Sequence, residues 1–457
     1  MEPEGWDAAF RSFLTSWTGD NSAVDTQNVL FGTTAFCVRS FDYDALQFSF
    51  PLIIRRDLFS EIGSDPSGSD GAVCTLIERI KERARTLPEL GPLYGKGVKG
   101  SLRYHDSIEP YTITHSDSAI GSHLWKVDDR NYCDGPGVHL IIRGALPCPP
   151  AQSRNDGHRI FQSLADMAEA IGTLVQAAPV PPLESAWLAS LDQKLLRRDL
   201  AKRGLVSFAG DGSHLARSFT KHRPFFRVAG PKEGVSVPFC CPVELSPVEL
   251  ELAASNRTVT GLGIRKREVL AVAGSNAQGK TTFLEGILAG MDDHAPHDGR
   301  EMVVTVSGAC SAESTNMGLA GADISMFFSA LPPGVSGTVH SAHGMGSGSM
   351  TMAHQVQNAI ARHSPLLIID EDRAAPNLLV RSCLQKEEVT PLSEIIGKER
   401  EKMGNTALVF AACAMDELIA RADRIMILDR HVASVIEPAA FRRMLAAQLR
   451  KTADDLI

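Results

Sequence analysis

The sequence predicts an α/β protein, a parallel-sheet core built around a phosphate-binding loop and preceded by an N-terminal α+β domain and a helical arm. Three observations carry that expectation. A glycine-rich loop joins the apolar run Val269–Ala273 to a helix-forming segment, a second apolar run at Leu366–Ile369 ends in carboxylates, and a third spans Ala407–Ala412. Runs without polar alternation are what strands buried on both faces look like.

Length and composition frame the rest. At 457 residues the chain exceeds the span that one hydrophobic core fills, so two to four domains are expected. With 44% hydrophobic and 22% charged residues it reads as globular and soluble. A formal charge of −8 excludes a uniformly basic nucleic-acid coat but not a local basic strip. No apolar window approaches the roughly 18 residues of a membrane span, so no membrane partner is expected. The start, Met1-Glu2-Pro3-Glu4, is acidic, unlike a secretory signal or a mitochondrial presequence; an address is either absent or removed. Nine cysteines, never spaced as a CxxC pair, read as reduced thiols without a zinc site.

Taken in order, residues 1–150 form the α+β domain. Phe48–Ile54 and His139–Ile142 are strand-like. Leu76, Ile77, Ile80 and Ala84 recur at helical spacing within 73–87, and Pro88 ends that helix. Residues 151–204 form the helical arm, broken at Pro179, Pro181 and Pro182, with a second helix over Leu183–Lys202. The core domain spans 205–435. Its strand-like pieces at Leu205–Phe208, Val235–Phe239 and Val248–Leu252 lead to the phosphate loop. Residues 436–457 close the chain with a helix near Ala439–Leu456.

The loop is Gly274-Ser275-Asn276-Ala277-Gln278-Gly279-Lys280-Thr281-Thr282, a G-x-x-x-x-G-K-[ST] match between strand and helix. Glycines let successive N–H groups curl around a β-phosphate at the following helix N-terminus. Lys280 would reach the β- and γ-phosphates of ATP, and the Thr281 hydroxyl would ligate Mg²⁺. Asp370 ends the second apolar run, where an aspartate holds Mg²⁺ through water, and Glu371 is placed to polarise the attacking water as general base. Between them, Gly346-Ser347-Gly348-Ser349-Met350 opens a helix over Thr351–Arg362. Glycine and serine at Ser347, Gly348 and Ser349 leave N–H donors free to meet a γ-phosphate, or form only a linker before the helix.

Ser347 precedes Asp370 by 23 residues, the interval between the signature serine and the metal-binding aspartate of ABC ATPases. The chain therefore resembles that class, with an ABC-type P-loop ATPase core, and the resemblance implies catalysis in a head-to-tail homodimer. A narrower similarity lies in Gly261–Ile264, His297–Glu301, Val303–Thr305, Gly321–Ser325, Leu331-Pro332 and Asp370-Glu371-Asp372, supported by Leu205–Phe208 with Asp211-Gly212 and by Gly144–Pro147. These runs, spread over about residues 90–457, resemble the predicted ABC-class ATPase family of bacteria and some eukaryotes. Within it the chain is most similar to members associated with kinetoplastid mitochondrial RNA-editing complexes. That likeness implies RNA binding, editing-complex partners and a mitochondrial location, with the cytoplasm as the alternative; composition shows none of these. Two departures stand out. Transporter-type ATPases carry a histidine between the strand at Ala407–Ala412 and the aspartate at Asp423, and none is present here; Asn377 stands where aspartate is common. Slow hydrolysis follows. The adenine contact is unassigned, because Phe239 lies too far before Lys280 to match the usual aromatic.

Two segments are candidates for RNA. Tyr94–Tyr104 interleaves Lys96, Lys99 and Arg103 with glycines and tyrosines, suited to a single-stranded backbone and stacked bases, or simply to solvent. Lys194, Arg197, Arg198, Lys202 and Arg203 cluster on the arm, where a solvated helix face is the commoner outcome. His340, His343 and His354 lack evident partner carboxylates and read as structural. The function expected is ATP hydrolysis coupled to RNA binding. The alternatives are a nucleotide-gated scaffold with little turnover and a transporter's ATPase subunit; the long N-terminal body argues against the latter.

Overall fold

A computed structural model describes residues 36–40, 45–95, 130–147, 154–220, 223–228 and 236–456, apart from 64, 85, 136, 297, 316 and 385–387. Lys96, Lys99 and Arg103 lie outside the described residues. The described chain forms two compact units. One ends at Leu191 and takes in Phe219–Phe226; the other comprises Asp192–Ser218 and the residues from Arg227 onward. This division falls inside the second helix of the expected arm, and not at residues 150 or 204.

In the first unit an antiparallel sheet runs in the order β1 (Phe36–Ser40), β2 (Ala45–Ile54), β4 (Val138–Pro147), β3 (Tyr132–Cys133). Phe48, Leu52 and Ile54 alternate along β2 and are buried, the pattern of a strand with one face on the core. Helix Ser69–Ala84 packs Val73, Leu76, Ile77 and Ile80 into the same core, and helix Arg154–Gln176 adds Leu164, Met167 and Ile171. The first arm helix is thus part of this core and not a free-standing connector. Helix Val180–Lys202 starts on Pro181 and Pro182, which suit a first turn whose N–H groups need no intrahelical partner.

From Asp192 that helix belongs to the second unit. Leu196 and Leu200 pack with β5 (Leu205–Gly210), and Asp192 accepts from the Ala254 N–H at 2.7 Å. Arg197 reaches Asp293 at 2.7 Å and the carbonyls of Gly290, Asp292 and Thr305, while Lys194 lies 3.7 Å from Asp293. Arg203 and Lys202 pair with Asp199 on their own helix. Lys194 and Arg197 are therefore committed to partners within their own unit, whereas Lys202 and Arg203 stay on an exposed helix face, the commoner outcome for such a run.

Strands β6 (Arg217–Thr220) and β7 (Arg223–Val228) form a two-stranded sheet. Residues 236–240 are not a strand, against the expectation for 235–239. Their backbone is used otherwise: the Phe239 N–H donates to the Ser213 carbonyl and the Gly212 N–H to the Phe239 carbonyl. Next, β8 (Val248–Leu252) and β9 (Arg257–Arg265) join β5 and β11 (Val303–Thr305) in an antiparallel sheet ordered β11-β5-β9-β8. The main sheet contains β10 (Val269–Ala273), β12 (Cys310–Ser311), β16 (Leu366–Asp370), β17 (Ala407–Ala412), β18 (Arg424–Asp429) and β19 (Val432–Val435), in the order β12-β16-β17-β10-β18-β19. The first five run parallel and β19 closes the edge antiparallel. Every residue of β10 and β17 is buried, which explains their uninterrupted apolar sequence. A three-stranded sheet, β13 (Gly318–Ala322), β15 (Ser341–Met345) and β14 (Ser336–Thr338), precedes helix Gly348–Ala361. The last helix spans Pro438–Leu456.

Arg424 ties the two larger sheets together. Its guanidinium meets the Glu268 carboxylate and donates to the carbonyls of Gly263 at 2.6 Å and Leu245 at 2.5 Å. Glu268 in turn accepts from the Arg265 N–H at 2.7 Å. A buried pair so completely hydrogen-bonded fixes geometry, and removing one partner strands the other charge at a cost of about 3–5 kcal/mol.

Candidate active site

The phosphate loop leaves β10 at the carboxyl edge of the parallel sheet, the edge at which open α/β sheets bind ligands. Gly274 sits at φ 140°, and a Cβ there would come 2.3 Å from the Leu428 carbonyl oxygen, so only glycine fits. Ala277 has φ 61°. A left-handed non-glycine residue costs about 1–3 kcal/mol and persists where surroundings enforce it, commonly at functional loops. Ser275, Asn276 and Ala277 form the loop's exposed crest. Gly279 is the N-cap of helix Lys280–Ala289, and no side chain caps that first turn. An uncapped first turn presents N–H groups and partial positive charge to an anion. Phe283, Leu284 and Ile287 anchor the helix in the core.

Lys280 is 8% exposed and curls along its own loop, donating to the carbonyls of Gly274 at 2.7 Å and Ser275 at 2.8 Å. Thr281 donates its hydroxyl to Asp370 Oδ2 at 2.6 Å, joining the loop to the end of β16. Two oxygen donors at this separation, one anionic, suit Mg²⁺, a hard cation that takes oxygen ligands and retains several waters. Thr282 is half-buried beside them and, with Gln278 and Gly279, lines the same cavity. Glu371 follows directly. Its carboxylate accepts from the backbone N–H groups of Cys413 and Ala414, the latter at 3.2 Å, immediately beyond β17. Backbone donors thus orient this carboxylate where transporter-type enzymes have a histidine nearby. Arg373 reaches Glu285 and Glu313, each at 3.1 Å, and this pairing holds its guanidinium above the usual range despite partial burial.

The structure brings together Gly274–Thr282, Asp370 and Glu371, but not the signature segment. Ser347, Gly348 and Ser349 line none of the described cavities beside the phosphate loop. Ser347 is the N-cap of helix Gly348–Ala361 without a side-chain cap bond, and Ser349 donates to Asn377 Oδ1 at 2.8 Å. A Cβ on Gly348 would meet Ser314 Oγ at 1.9 Å, so a larger residue there would require that hydroxyl to turn away. The histidines nearby have partners the sequence did not reveal: His340 lies 3.6 Å from Asp323, His354 meets the Asp323 carbonyl at 3.3 Å, and His343 accepts from the Gly321 N–H. The lack of carboxylate partners is thereby corrected for His340.

Sequence reasoning missed the amides of Cys413 and Ala414, the Arg373 bridges and the turn Arg430-His431, whose backbone is pinned to the loop by Gln278. Only the Asp-Arg-His interruption between two strand-like runs marks that turn in the sequence, and no spacing rule ties it to the loop. Among the described residues no helix is long and apolar enough to cross a membrane.

The chain is similar in sequence to known proteins. The family model described as "ABC_ATPase: P-loop domain" matches residues 180–454. "Uncharacterized protein MJ1628" of Methanocaldococcus jannaschii is 36% identical over 409 residues, which cover 89% of each chain. Among solved structures, cbiO1 from Clostridium perfringens, part of the ABC transporter complex cbiONQ, is 13% identical with a TM-score of 0.28, covering 46% of this chain and 96% of that one. A metal-chelate type ABC transporter in an inward-facing conformation is 16% identical with a TM-score of 0.27, covering 42% and 81%. The length of the family match and the identity to the archaeal relative settle the assignment: the chain belongs to the ABC_ATPase family of P-loop proteins.

Proposed function

We propose that the chain binds ATP with Mg²⁺ on loop 274–282 and hydrolyses it, in a site completed by Ser347, Gly348 and Ser349 of a second copy in a head-to-tail homodimer. The observation that carries this reading is the 2.6 Å bond from Thr281 to Asp370, with Glu371 held beside it by two backbone amides. Thr281 and Asp370 would hold the metal, whose charge neutralises phosphate oxygens. Lys280 binds the β- and γ-phosphates and the helix N-terminus cradles the β-phosphate. Glu371 accepts a proton from water as its oxygen attacks the γ-phosphorus in line; the bond to the β–γ bridging oxygen breaks, and ADP and phosphate leave. Turnover is slow, because Cys413 follows β17 and no histidine is available there to orient Glu371 or the γ-phosphate.

Slow turnover favours a second reading, in which nucleotide gates a binding surface and hydrolysis only resets it. The finer reading, a single-stranded RNA client and a place among mitochondrial RNA-editing proteins, is supported by sequence resemblance and by the composition of Tyr94–Tyr104. Filter binding of ssRNA, dsRNA and ssDNA, each with and without ATP·Mg²⁺, tests it; ssRNA retention that changes with nucleotide supports the RNA reading, and equal retention of nothing removes it. Phosphate release by the purified chain, lost in Lys280→Ala, tests the ATPase.

A further inference from the structure

We infer that His431, on the turn between β18 and β19, forms the platform against which the purine base and ribose of the bound nucleotide rest. This deepens the proposed ATP site and rests on that reading. The phosphate cavity at Lys280 and Thr281 adjoins a second, more apolar one. Gln278, Gly279, Thr282 and His431 line both, and Leu215, Val237, Phe239 and Leu428 line only the second. A nucleoside triphosphate with its phosphates on the loop meets this apolar recess directly beside them.

The turn is built to hold the imidazole there. Arg430 and His431 take φ 47° and 66°, the left-handed pair of a type I′ hairpin turn. That turn favours Asn-Gly, so two bulky residues in it hold strain that the surroundings must impose. The Arg430 N–H donates to the Gln278 carboxamide oxygen, tying the turn to the phosphate loop. Gly279 permits the approach: a Cβ there would lie 2.8 Å from His431 Nδ1. In the same recess Phe239 packs on Phe283 with ring centroids 5.5 Å apart, which stiffens the apolar side. An imidazole that lines the same recess as Leu215, Val237 and Phe239 is a site for a flat heteroaromatic base. Stacking of a base on an aromatic ring is worth enough to change affinity by about tenfold.

The test is titration calorimetry of the full chain with ATP and with inorganic tripolyphosphate, for the unmodified protein, His431→Ala and His431→Phe. The expected result is about tenfold weaker ATP binding in His431→Ala, recovery to within about threefold in His431→Phe, and unchanged tripolyphosphate binding in all three. ATP affinity within twofold of the unmodified protein in His431→Ala would overturn the inference. So would a parallel loss of tripolyphosphate binding, which would make His431 a support of the loop. If the unmodified protein bound neither ligand, the phosphate-loop reading would fall and this inference with it, a result distinct from the other two.

Discussion

Replacing Glu371 by Gln separates chemistry from binding. The carboxylate is fixed by two backbone donors, the N–H groups of Cys413 and Ala414, and lies one residue beyond the Thr281–Asp370 contact. Glutamine is nearly isosteric and keeps one carbonyl oxygen to receive those N–H groups. Hydrogen bonds to a charged acceptor are worth about 1.5–3 kcal/mol each and neutral ones about 0.5–1.5, so the substitution costs on the order of 1–2 kcal/mol locally. It leaves Lys280, Thr281 and Asp370 in place. Loss of a positioned general base lowers the rate about 10²–10⁴-fold. The assay is phosphate release under saturating ATP and Mg²⁺, paired with calorimetric ATP affinity. The rate should collapse while ATP affinity stays within a few-fold. A rate within twofold of the unmodified protein would refute the role given to Glu371, and joint loss of rate and affinity would show that the residue supports the fold of the loop.

Two further predictions concern the frame that holds the site. Glu268→Gln leaves Arg424 buried without its counter-charge, and should lower stability by about 3–5 kcal/mol in urea unfolding of the full chain; a change below about 1 kcal/mol would contradict the pairing. Burial raises the Asp423 carboxyl, but Arg400, the Val269 N–H and Arg424 together outweigh it and hold the group below the ordinary aspartate range. Its contribution is therefore present above that range and lost as pH falls through the depressed value. Asp423→Asn should unfold more readily at neutral pH and show a shallower loss of stability below about pH 4; identical acid profiles would count against it.

Much of this was legible in the chain itself, for a physical reason. Strands β10 and β17 have the limits that hydrophobic runs indicate, because parallel strands buried on both faces carry no polar punctuation and stop abruptly at turns. The phosphate loop was readable because backbone geometry demands glycine at Gly274 and Gly279. What was hidden depends on residues brought together across long sequence intervals. Arg197 looked like a solvent-facing cation, yet it spends its donors on Asp293 and three carbonyls nearly a hundred positions away. Residues 236–240 have strand-like composition, but their N–H and C=O groups pair with the loop at Gly212 and Ser213 and not with a ladder. His340 and the amides of Cys413 and Ala414 belong with these, since no local pattern announces a partner supplied by another loop.

The central claim is that hydrolysis occurs in a site shared by two copies of the chain. Mixing two variants tests it most directly: Lys280→Ala, which loses the phosphate loop's cation, and Ser347→Arg, which blocks the exposed start of the signature helix. In a head-to-tail dimer each mixed pair holds one site in which both defects meet and one with neither. Each variant alone should be inactive, and an equimolar mixture should regain roughly a quarter of the unmodified activity under free subunit exchange. No recovery on mixing, with both variants folded and exchanging, would contradict it.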